Sequence, residues 1–179
     1  KKFPKKVITH LKHGLSTKTS RPNRLTIKNK IIATNQDCLN AMVLKSRSLG
    51  LTTKVYSPVK DDVSVSAKKI VQMIPGKKNS CIIFGGEPTV QVKGKGKGGR
   101  NQELILQILK LIQNSDHRVV ASSISTDGID GNTTCSGAII ENNSSSLQEI
   151  SSYLENNDSY SFFKRHGGLI KTGPTHTNL

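Results

Sequence analysis

Apolar residues occur along most of the chain in short runs, separated by stretches in which they recur three or four positions apart. The short runs predict buried strands at residues 31–34, 52–56, 81–84, 89–92, 119–124, 138–140 and 169–170. The helical spacing predicts helices over residues 37–50, 65–74, 101–113, 147–154 and 161–165. The first of these helices is expected to cover Leu39, Met42, Val43 and Leu44. Strands that alternate with helices predict an α/β fold, a three-layer sandwich with a mixed, largely parallel sheet and helices on both faces.

The first 27 residues differ from the rest of the chain in pattern and in charge. Val7, Ile8 and Leu11 have helical spacing, Gly14 ends that pattern and a polar run follows, which predicts a basic helix and a linker over residues 1–27. The chain does not begin with Met, so we expect a fragment or a processed product.

The net charge of +15 raises the question of whether the chain binds nucleic acid. A basic surface attracts polyanions, and ten of the 27 Lys and Arg residues lie in the first thirty positions. Aromatic residues make up only 4% of the chain, however, which leaves few side chains on which bases can stack. We therefore prefer a solvated basic surface and keep a nucleic-acid-binding domain as the weaker alternative.

Cysteine usage and hydropathy indicate the cellular compartment of the protein. No apolar run approaches the roughly 18–20 residues that cross a bilayer, and the first residues do not form a secretory signal, so we expect no membrane partner. Cys38, Cys81 and Cys135 contain no CxxC pair, which predicts small buried apolar groups rather than a zinc site or a disulfide framework. A reducing interior, the cytoplasm, is the expected location.

The sharpest chemical feature is a glycine-rich segment that leads into a helix. Gly-Gly-Glu at residues 85–87 follows a predicted strand, and Lys-Gly repeats at residues 93–99 precede Arg100. Glycines let backbone amides approach a ligand, and the first amides of a helix favour an anion. Arg100 can hold two phosphate or carboxylate oxygens at once. We therefore predict an anion site here, with Asn101 capping the helix and Glu103 folding back on its start.

Two common phosphate-binding motifs do not explain this segment. No Gly-Lys-Ser/Thr ends it, as in a P-loop, and a pair of strands precedes it, unlike the dinucleotide-binding GxGxxG. A flexible hairpin tip with solvated lysines is the alternative, and it is an equal one for Lys93, Lys95 and Lys97 taken singly.

A second cluster, residues 125–131, follows a predicted strand at the end where α/β proteins bind ligands. Asp127 and Asp130 lie there in a turn that contains two glycines. Their carboxylates could hold Mg²⁺ or orient a substrate hydroxyl, although a structural turn built on Asp side chains gives the same pattern. A third segment, residues 172–178, places hydroxyls in a Gly-Pro turn, and taken alone it is an ordinary loop.

These segments, in this order, resemble the glycerate 2-kinase family that carries the MOFRL domain. The family pattern is Gly-Gly-Glu-Thr-Thr-Val, then Gly-Lys-Gly-x-Gly-Gly-Arg-Asn-Gln-Glu, then Thr-Asp-Gly-Ile-Asp-Gly, and near its end Thr-Gly-Pro-Thr-Gly-Thr-Asn. The corresponding segments here are residues 85–90, 94–103, 126–131 and 172–178. Residues 32–35 and 157–163 also look like the family, and the resemblance covers about residues 28–178.

The resemblance implies a protein of two α/β lobes with the active site in the cleft between them. This chain would be the C-terminal lobe, in which residues 28–79 are a βαβα segment continuing the upstream lobe and residues 80–179 are a MOFRL-like α/β domain. The implied reaction transfers the ATP γ-phosphoryl group to the 2-hydroxyl of D-glycerate, with Mg²⁺, and gives 2-phosphoglycerate. The missing N-terminal lobe would be the partner, and the chain alone is expected to be inactive.

The resemblance also implies which residues form the site. Arg100 and Asp127 would be catalytic, and Asp127 and Asp130 would hold the metal. The residues expected to bind substrate and phosphate are Asn35, Gly86, Glu87, Lys97, Gly98, Gly99, Asn101, Thr126, Asp130 and Thr175. The chain departs from the family pattern at Pro88, Asn132, Thr134 and His176. These departures favour an alternative, a ligand-binding or regulatory module that has kept the fold without the chemistry.

Overall fold

The computed structural model describes residues 3–16, 28–142 and 146–179 of the chain. The chain divides into two compact units, residues 1–32 and residues 33–179. None of the helices in the described ranges is long and apolar enough to cross a membrane.

Helix α1 (Lys5–Ser16) lies in the first unit. It confirms the helix predicted from the spacing of Val7, Ile8 and Leu11, but it continues past Gly14, because one glycine weakens a helix without ending it. Its apolar side chains are exposed to solvent. The predicted linker lies, from residue 17 onward, outside the described residues.

The second unit alternates helices and strands. The helices are α2 (Asn35–Ser48), α3 (Val63–Gln72), α4 (Arg100–Ile112), α5 (Leu147–Glu155) and α6 (Ser159–His166). The strands are β1 (Thr52–Val59), β2 (Ser80–Gly86), β3 (Val120–Ile124), β4 (Gly137–Glu141) and β5 (Leu169–Ile170). Each lies within a few residues of a predicted element.

The strands form two sheets. β1 and β2 pair in parallel, from Thr52 opposite Ser80 to Tyr56 opposite Phe84, and α3 is the crossover between them. β3, β4 and β5 form an antiparallel sheet with β4 in the middle. The α/β class with strands of both directions is confirmed. Among the strands in the described ranges, only β1 and β2 pair in parallel, and one further parallel bridge joins Asp62 to Thr89. β3 and β4 pair as antiparallel neighbours, since no helix separates them.

Helix α4 is the centre of the hydrophobic core. Its buried apolar residues are Leu104, Ile105, Leu106, Ile108, Leu109 and Ile112. Val63 and Ala67 of α3 and Phe162 and Phe163 of α6 belong to the same core. Each fully buried aliphatic side chain stabilises the fold by about 1.5–3 kcal/mol. The six buried side chains therefore fix the position of α4, including its first turn.

Three details of the predicted elements are wrong. Residues 31–34 form no strand, because Thr34 instead caps α2 in a reciprocal pair of hydrogen bonds with Asp37. Residues 89–92 make only a single bridge, in which Thr89 pairs with the turn before α3. Met42 and Leu44, expected on the covered side of α2, are 46% and 70% exposed, so α2 buries a narrower face than its pattern predicts.

Candidate active site

Arg100 is the first residue of α4 and lies beside the carboxyl end of β2. Its Nη1 is 2.7 Å from Oε1 of Glu87, which directly follows that strand. The backbone amide of Glu87 donates to the carbonyl of Val59, which fixes the chain at this point. Both side chains of the ion pair are open to solvent, 43% exposed for Arg100 and 74% for Glu87. The guanidinium is therefore accessible to a ligand.

Asp127 lies in the turn after β3, close to Arg100. Its Oδ1 accepts hydrogen bonds from the Ser125 hydroxyl at 2.6 Å and from the Ile129 amide at 2.9 Å. These two donors, and then the Arg100 guanidinium, hold the pKa of the Asp127 carboxyl below its usual range. The carboxylate is thus charged at neutral pH, and its Oδ2 accepts no hydrogen bond from the part of the chain that the structure describes.

The C-terminal segment packs on the same turn. The hydroxyls of Thr175 and Thr177 donate to the Thr126 carbonyl, and the Thr175 amide donates to the Asp127 carbonyl at 3.2 Å. The amide of Leu179 donates to the Thr126 hydroxyl at 3.1 Å. Thr126 and Thr175, which are far apart in sequence, are therefore neighbours of Asp127, as the predicted site requires.

Asn35 and Gly86 lie at the end of the parallel pair. Asn35 begins α2, and its amide oxygen packs so closely on Gly85 that a Cβ there would overlap it. Gly86 ends β2 with its backbone against Val59. Both residues are thus near Glu87, on the Arg100 side of the cluster.

Asp130 has a structural role that the sequence did not reveal. Its carboxylate is buried, with 1% of the residue exposed, and it accepts four hydrogen bonds at 2.9–3.1 Å from the backbone amides and side-chain amides of Asn101 and Gln102. An internal carboxylate thus occupies the helix start predicted to bind a ligand anion. The predictions of Asp130 as a metal ligand or substrate contact do not fit this arrangement. Asn101 is not the cap, because Gly99 takes that position.

The glycine loop is also held differently from the prediction. The amides of Lys93 and Gly94 donate to the Asn157 side chain, and those of residues 95–97 donate to Asn156 and Asp158. The amide of Gly98 donates to the Asn132 side chain at 3.0 Å. These amides are therefore not open to an anion.

The glycines serve close packing instead. A Cβ at Gly94 or Gly96 would overlap the backbone of Asn156, one at Gly98 would overlap the Ser159 hydroxyl, and one at Gly99 would overlap Asp130. The positive groups that stay accessible are side chains. Lys93, Lys95 and Lys97 are all exposed, and Lys97 Nζ lies 4.9 Å from the centre of the Tyr160 ring.

Two polar residues next to this loop, Glu103 and Asn157, are buried and paired with each other, which the sequence did not predict. Glu103 is 6% exposed, and Asn157 donates to its Oε1 at 2.9 Å. Burial raises the pKa of Glu103 to about 7, against the lowering effect of that hydrogen bond. The signal for Asn157 was the Asn-Asn-Asp run at residues 156–158, which is typical of a turn. Asn157 has a left-handed φ of 51°, a conformation that asparagine adopts more readily than most residues. Glu103 was predicted to fold back on the start of α4, but its carboxylate instead accepts from Asn157 and is buried, whereas a carboxylate in a helix is ordinarily exposed.

The fold and this site together define an α/β protein in which an exposed arginine lies near an ionised carboxylate, beside the ends of β2 and β3. The chain belongs to the MOFRL family, whose sequence profile matches residues 80–179. The resemblance found in the sequence is thereby confirmed.

Similar proteins carry the name glycerate kinase. The chain is 43% identical to D-glycerate 2-kinase of Thermotoga maritima over 110 residues, which is 59% of this chain and 26% of that protein. It is 36% identical to glycerate 2-kinase of Picrophilus torridus over 86% of this chain and 37% of the relative. For glycerate 2-kinase of Pyrococcus horikoshii the identity is 33%, over 99% of this chain and 44% of the relative. The chain thus spans less than half the length of each of these relatives.

Solved structures agree with the sequence comparison. The crystal structure of glycerate kinase from Thermotoga maritima matches 96% of this chain and 47% of its own with a TM-score of 0.77 and 27% identity. A crystal structure from Pyrococcus horikoshii matches 98% of this chain and 44% of its own with a TM-score of 0.73 and 29% identity.

Proposed function

We propose that this chain is the C-terminal part of a glycerate 2-kinase, which transfers the γ-phosphoryl group of ATP to the 2-hydroxyl of D-glycerate and gives 2-phosphoglycerate. The observation that carries the proposal is that the accessible Arg100 pairs with Glu87 and lies near the ionised Asp127, in a chain whose relatives bear that name.

Arg100 binds an anionic group in this reaction, either the glycerate carboxylate or the phosphoryl group in transfer. Its present partner, Glu87, forms an exposed ion pair, and such pairs contribute only about 0–1 kcal/mol. A ligand carboxylate or phosphate that accepts two hydrogen bonds from the guanidinium can therefore take the place of Glu87. Charge neutralisation at the transferring group is the main task in phosphoryl transfer.

Asp127 is the carboxylate best placed to orient the substrate hydroxyl or to hold a magnesium ion. It is charged, and both hydrogen bonds that it accepts from Ser125 and Ile129 go to Oδ1. Mg²⁺ in kinases is usually held by one or two carboxylates together with substrate phosphates and water, so Asp127 alone fits that need. The described residues contain no cluster of three or more His, Cys, Asp or Glu side chains that could hold a metal by themselves. When bound, Mg²⁺ would neutralise phosphate charge.

The remaining parts of the site belong to the rest of the protein. We propose that an N-terminal lobe supplies the groups that complete the cleft and that the chain alone is inactive. The exposed lysines of residues 93–97 add positive potential that attracts ATP and glycerate, both of which are anions. The three cysteines are free thiols, which supports the cytoplasm as the place of reaction.

The test is the reaction of the full-length protein with D-glycerate, ATP and Mg²⁺, followed by ³¹P NMR of the product. We expect the signal of a phosphate on the 2-oxygen, no signal of one on the 3-oxygen, and no product when Mg²⁺ is removed with a chelator. Absence of any phosphorylated glycerate from the correctly folded full-length protein would reject the proposal.

A further inference from the structure

One side chain, that of Asn157, connects both ends of the segment that carries Arg100. Asn157 lies in the turn between α5 and α6 and is 8% exposed. Its Oδ1 accepts from the amides of Lys93 at 2.7 Å and Gly94 at 2.9 Å. Its Nδ2 donates to Oε1 of Glu103 at 2.9 Å.

These bonds close a loop. The chain leaves Asn157 at Gly94, passes through the glycine loop and the first turn of α4, and returns to the same side chain at Glu103. Arg100 lies inside this closed segment, one helical turn before Glu103. Nδ2 also points to the Gln91 carbonyl at 3.4 Å, so the carboxamide is engaged at both its oxygen and its nitrogen.

We infer that Asn157 is a positioning residue, which keeps the segment from Gly94 to Glu103 closed so that Arg100 stays beside Glu87 and Asp127. The inference rests on the proposed function, because its consequence is a property of the reaction. Misplacement of a reacting or binding group by about 1 Å can lower a rate a hundredfold, so a hydrogen bond that fixes this segment has a measurable effect on turnover.

The direction of the hydrogen bond between Asn157 and Glu103 makes the inference testable. Glu103 is buried and forms no ion pair within the described ranges, and the carboxylates of Asp62 and Asp130 act on it with the same sign of charge. The N–H of Asn157 is therefore the group that offsets its burial. The pair needs one hydrogen-bond donor and one acceptor. Residue 157 can donate to residue 103, as in the wild type, or residue 103 can donate to residue 157.

The experiment exchanges the donor and acceptor roles of residues 157 and 103 in the full-length protein. Asn157→Asp retains an acceptor for Lys93 and Gly94 but sets a second carboxylate against Glu103, and we expect kcat/KM for D-glycerate to fall tenfold or more, mainly through kcat. The double variant Asn157→Asp/Glu103→Gln restores a donor, now on residue 103, and we expect kcat/KM within about threefold of the wild type. The defect of Asn157→Asp should also shrink as the pH is lowered, because two adjacent carboxylates share a proton.

Asn156→Asp is the matched control. Asn156 is exposed, and its Oδ1 accepts from Lys95, a role that a carboxylate also fills. We expect unchanged kinetics for it. Unchanged turnover in Asn157→Asp, or a defect that Glu103→Gln does not relieve, would overturn the positioning role.

Two further observations keep the outcome decisive. If Asn157→Asp alone fails to fold, recovery of folded, active protein in the double variant supports the exchange, and equal failure of both overturns it. Amide hydrogen exchange of residues 93–99 in the same variants reports closure of the loop independently of activity. We expect faster exchange in Asn157→Asp and wild-type exchange in the double variant, so failure of the proposed reaction is distinguishable from failure of the positioning role.

Discussion

The Asp130 carboxylate accepts four buried hydrogen bonds at the start of α4, and Asp130→Asn is the smallest change that removes its charge. The substitution keeps the shape but replaces one acceptor oxygen by an NH₂ group. If the new NH₂ group faces Gln102, the backbone amide and the side-chain amide of Gln102 both lose their acceptor. The Gln102 carboxamide can turn over to relieve one of them, since its Oε1 is buried without a hydrogen-bond partner in the described structure. The backbone amide of Gln102 then stays unsatisfied.

The expected loss follows from these contacts. A hydrogen bond to a charged group contributes about 1.5–3 kcal/mol, and a carboxylate near a helix N-terminus adds about 0.3–1 kcal/mol. Because the Gln102 side chain can rearrange, we expect Asp130→Asn to lower the free energy of unfolding by about 2–4 kcal/mol. That is a large part of the roughly 5–15 kcal/mol of a typical domain.

The assay is urea unfolding of the full-length protein, followed by far-UV circular dichroism, with and without Mg²⁺. Asp61→Asn is the control, because its ion pair with Lys69 joins two side chains that are 49% and 57% exposed, and its loss should change stability by less than about 1 kcal/mol. We expect the same destabilisation of Asp130→Asn in either condition. A change below about 0.5 kcal/mol, or a loss seen only with Mg²⁺, would contradict the structural role of Asp130.

Three further outcomes are expected. The pKa of Glu103 is about 7 in the folded chain against an ordinary 4.5, so between these pH values the folded state binds more protons than the unfolded state. The free energy of unfolding therefore falls as the pH rises from about 4.5 to 7. Glu103→Gln should remove that slope and stabilise the protein above pH 7 by at most about 3 kcal/mol, measured by urea unfolding. Gly96→Ala should destabilise the fold by about 1–3 kcal/mol in the same assay, because its Cβ would meet neighbouring backbone, whereas Gly14→Ala, with open space around it, should not. His176 has a left-handed φ of 56°, so His176→Val should accelerate amide exchange at Thr175 about tenfold, and His176→Asn should leave it unchanged.

The local pattern of the sequence was sufficient for most of the helices and strands. Helix α4 was predictable because its apolar residues recur at helical spacing over three turns. Arg100 at the start of a helix and Asp127 in the turn after a strand were singled out because both are positions at which α/β proteins bind ligands. The glycines were recognised as positions at which another group comes close to the backbone. The sequence did not show that this group is part of the protein rather than a ligand.

The main errors in the predicted site concern partners that are distant in sequence. The carbonyl and carboxyl groups that occupy the loop amides come from residues 156–158, about sixty positions later, and no local pattern specifies them. Asp127 and Asp130 have similar surroundings in the sequence, yet Asp127 is half-buried and Asp130 is fully buried at the start of α4. Only the packing of the turn distinguishes a carboxylate that can bind a ligand from one that caps a helix.

Arg100→Ala and Arg118→Ala, assayed side by side in the full-length protein, test the central claim that the Arg100 cluster binds the reacting anion. Both substitutions break an exposed arginine–carboxylate pair, but Arg118 pairs with Glu141 at the opposite end of β3 from Asp127. We expect kcat/KM for D-glycerate to fall tenfold or more in Arg100→Ala, the scale of a lost charge-assisted contact, and to stay within about twofold of the wild type in Arg118→Ala. Equal kcat/KM values in the two variants would show that Arg100 takes no part in the reaction.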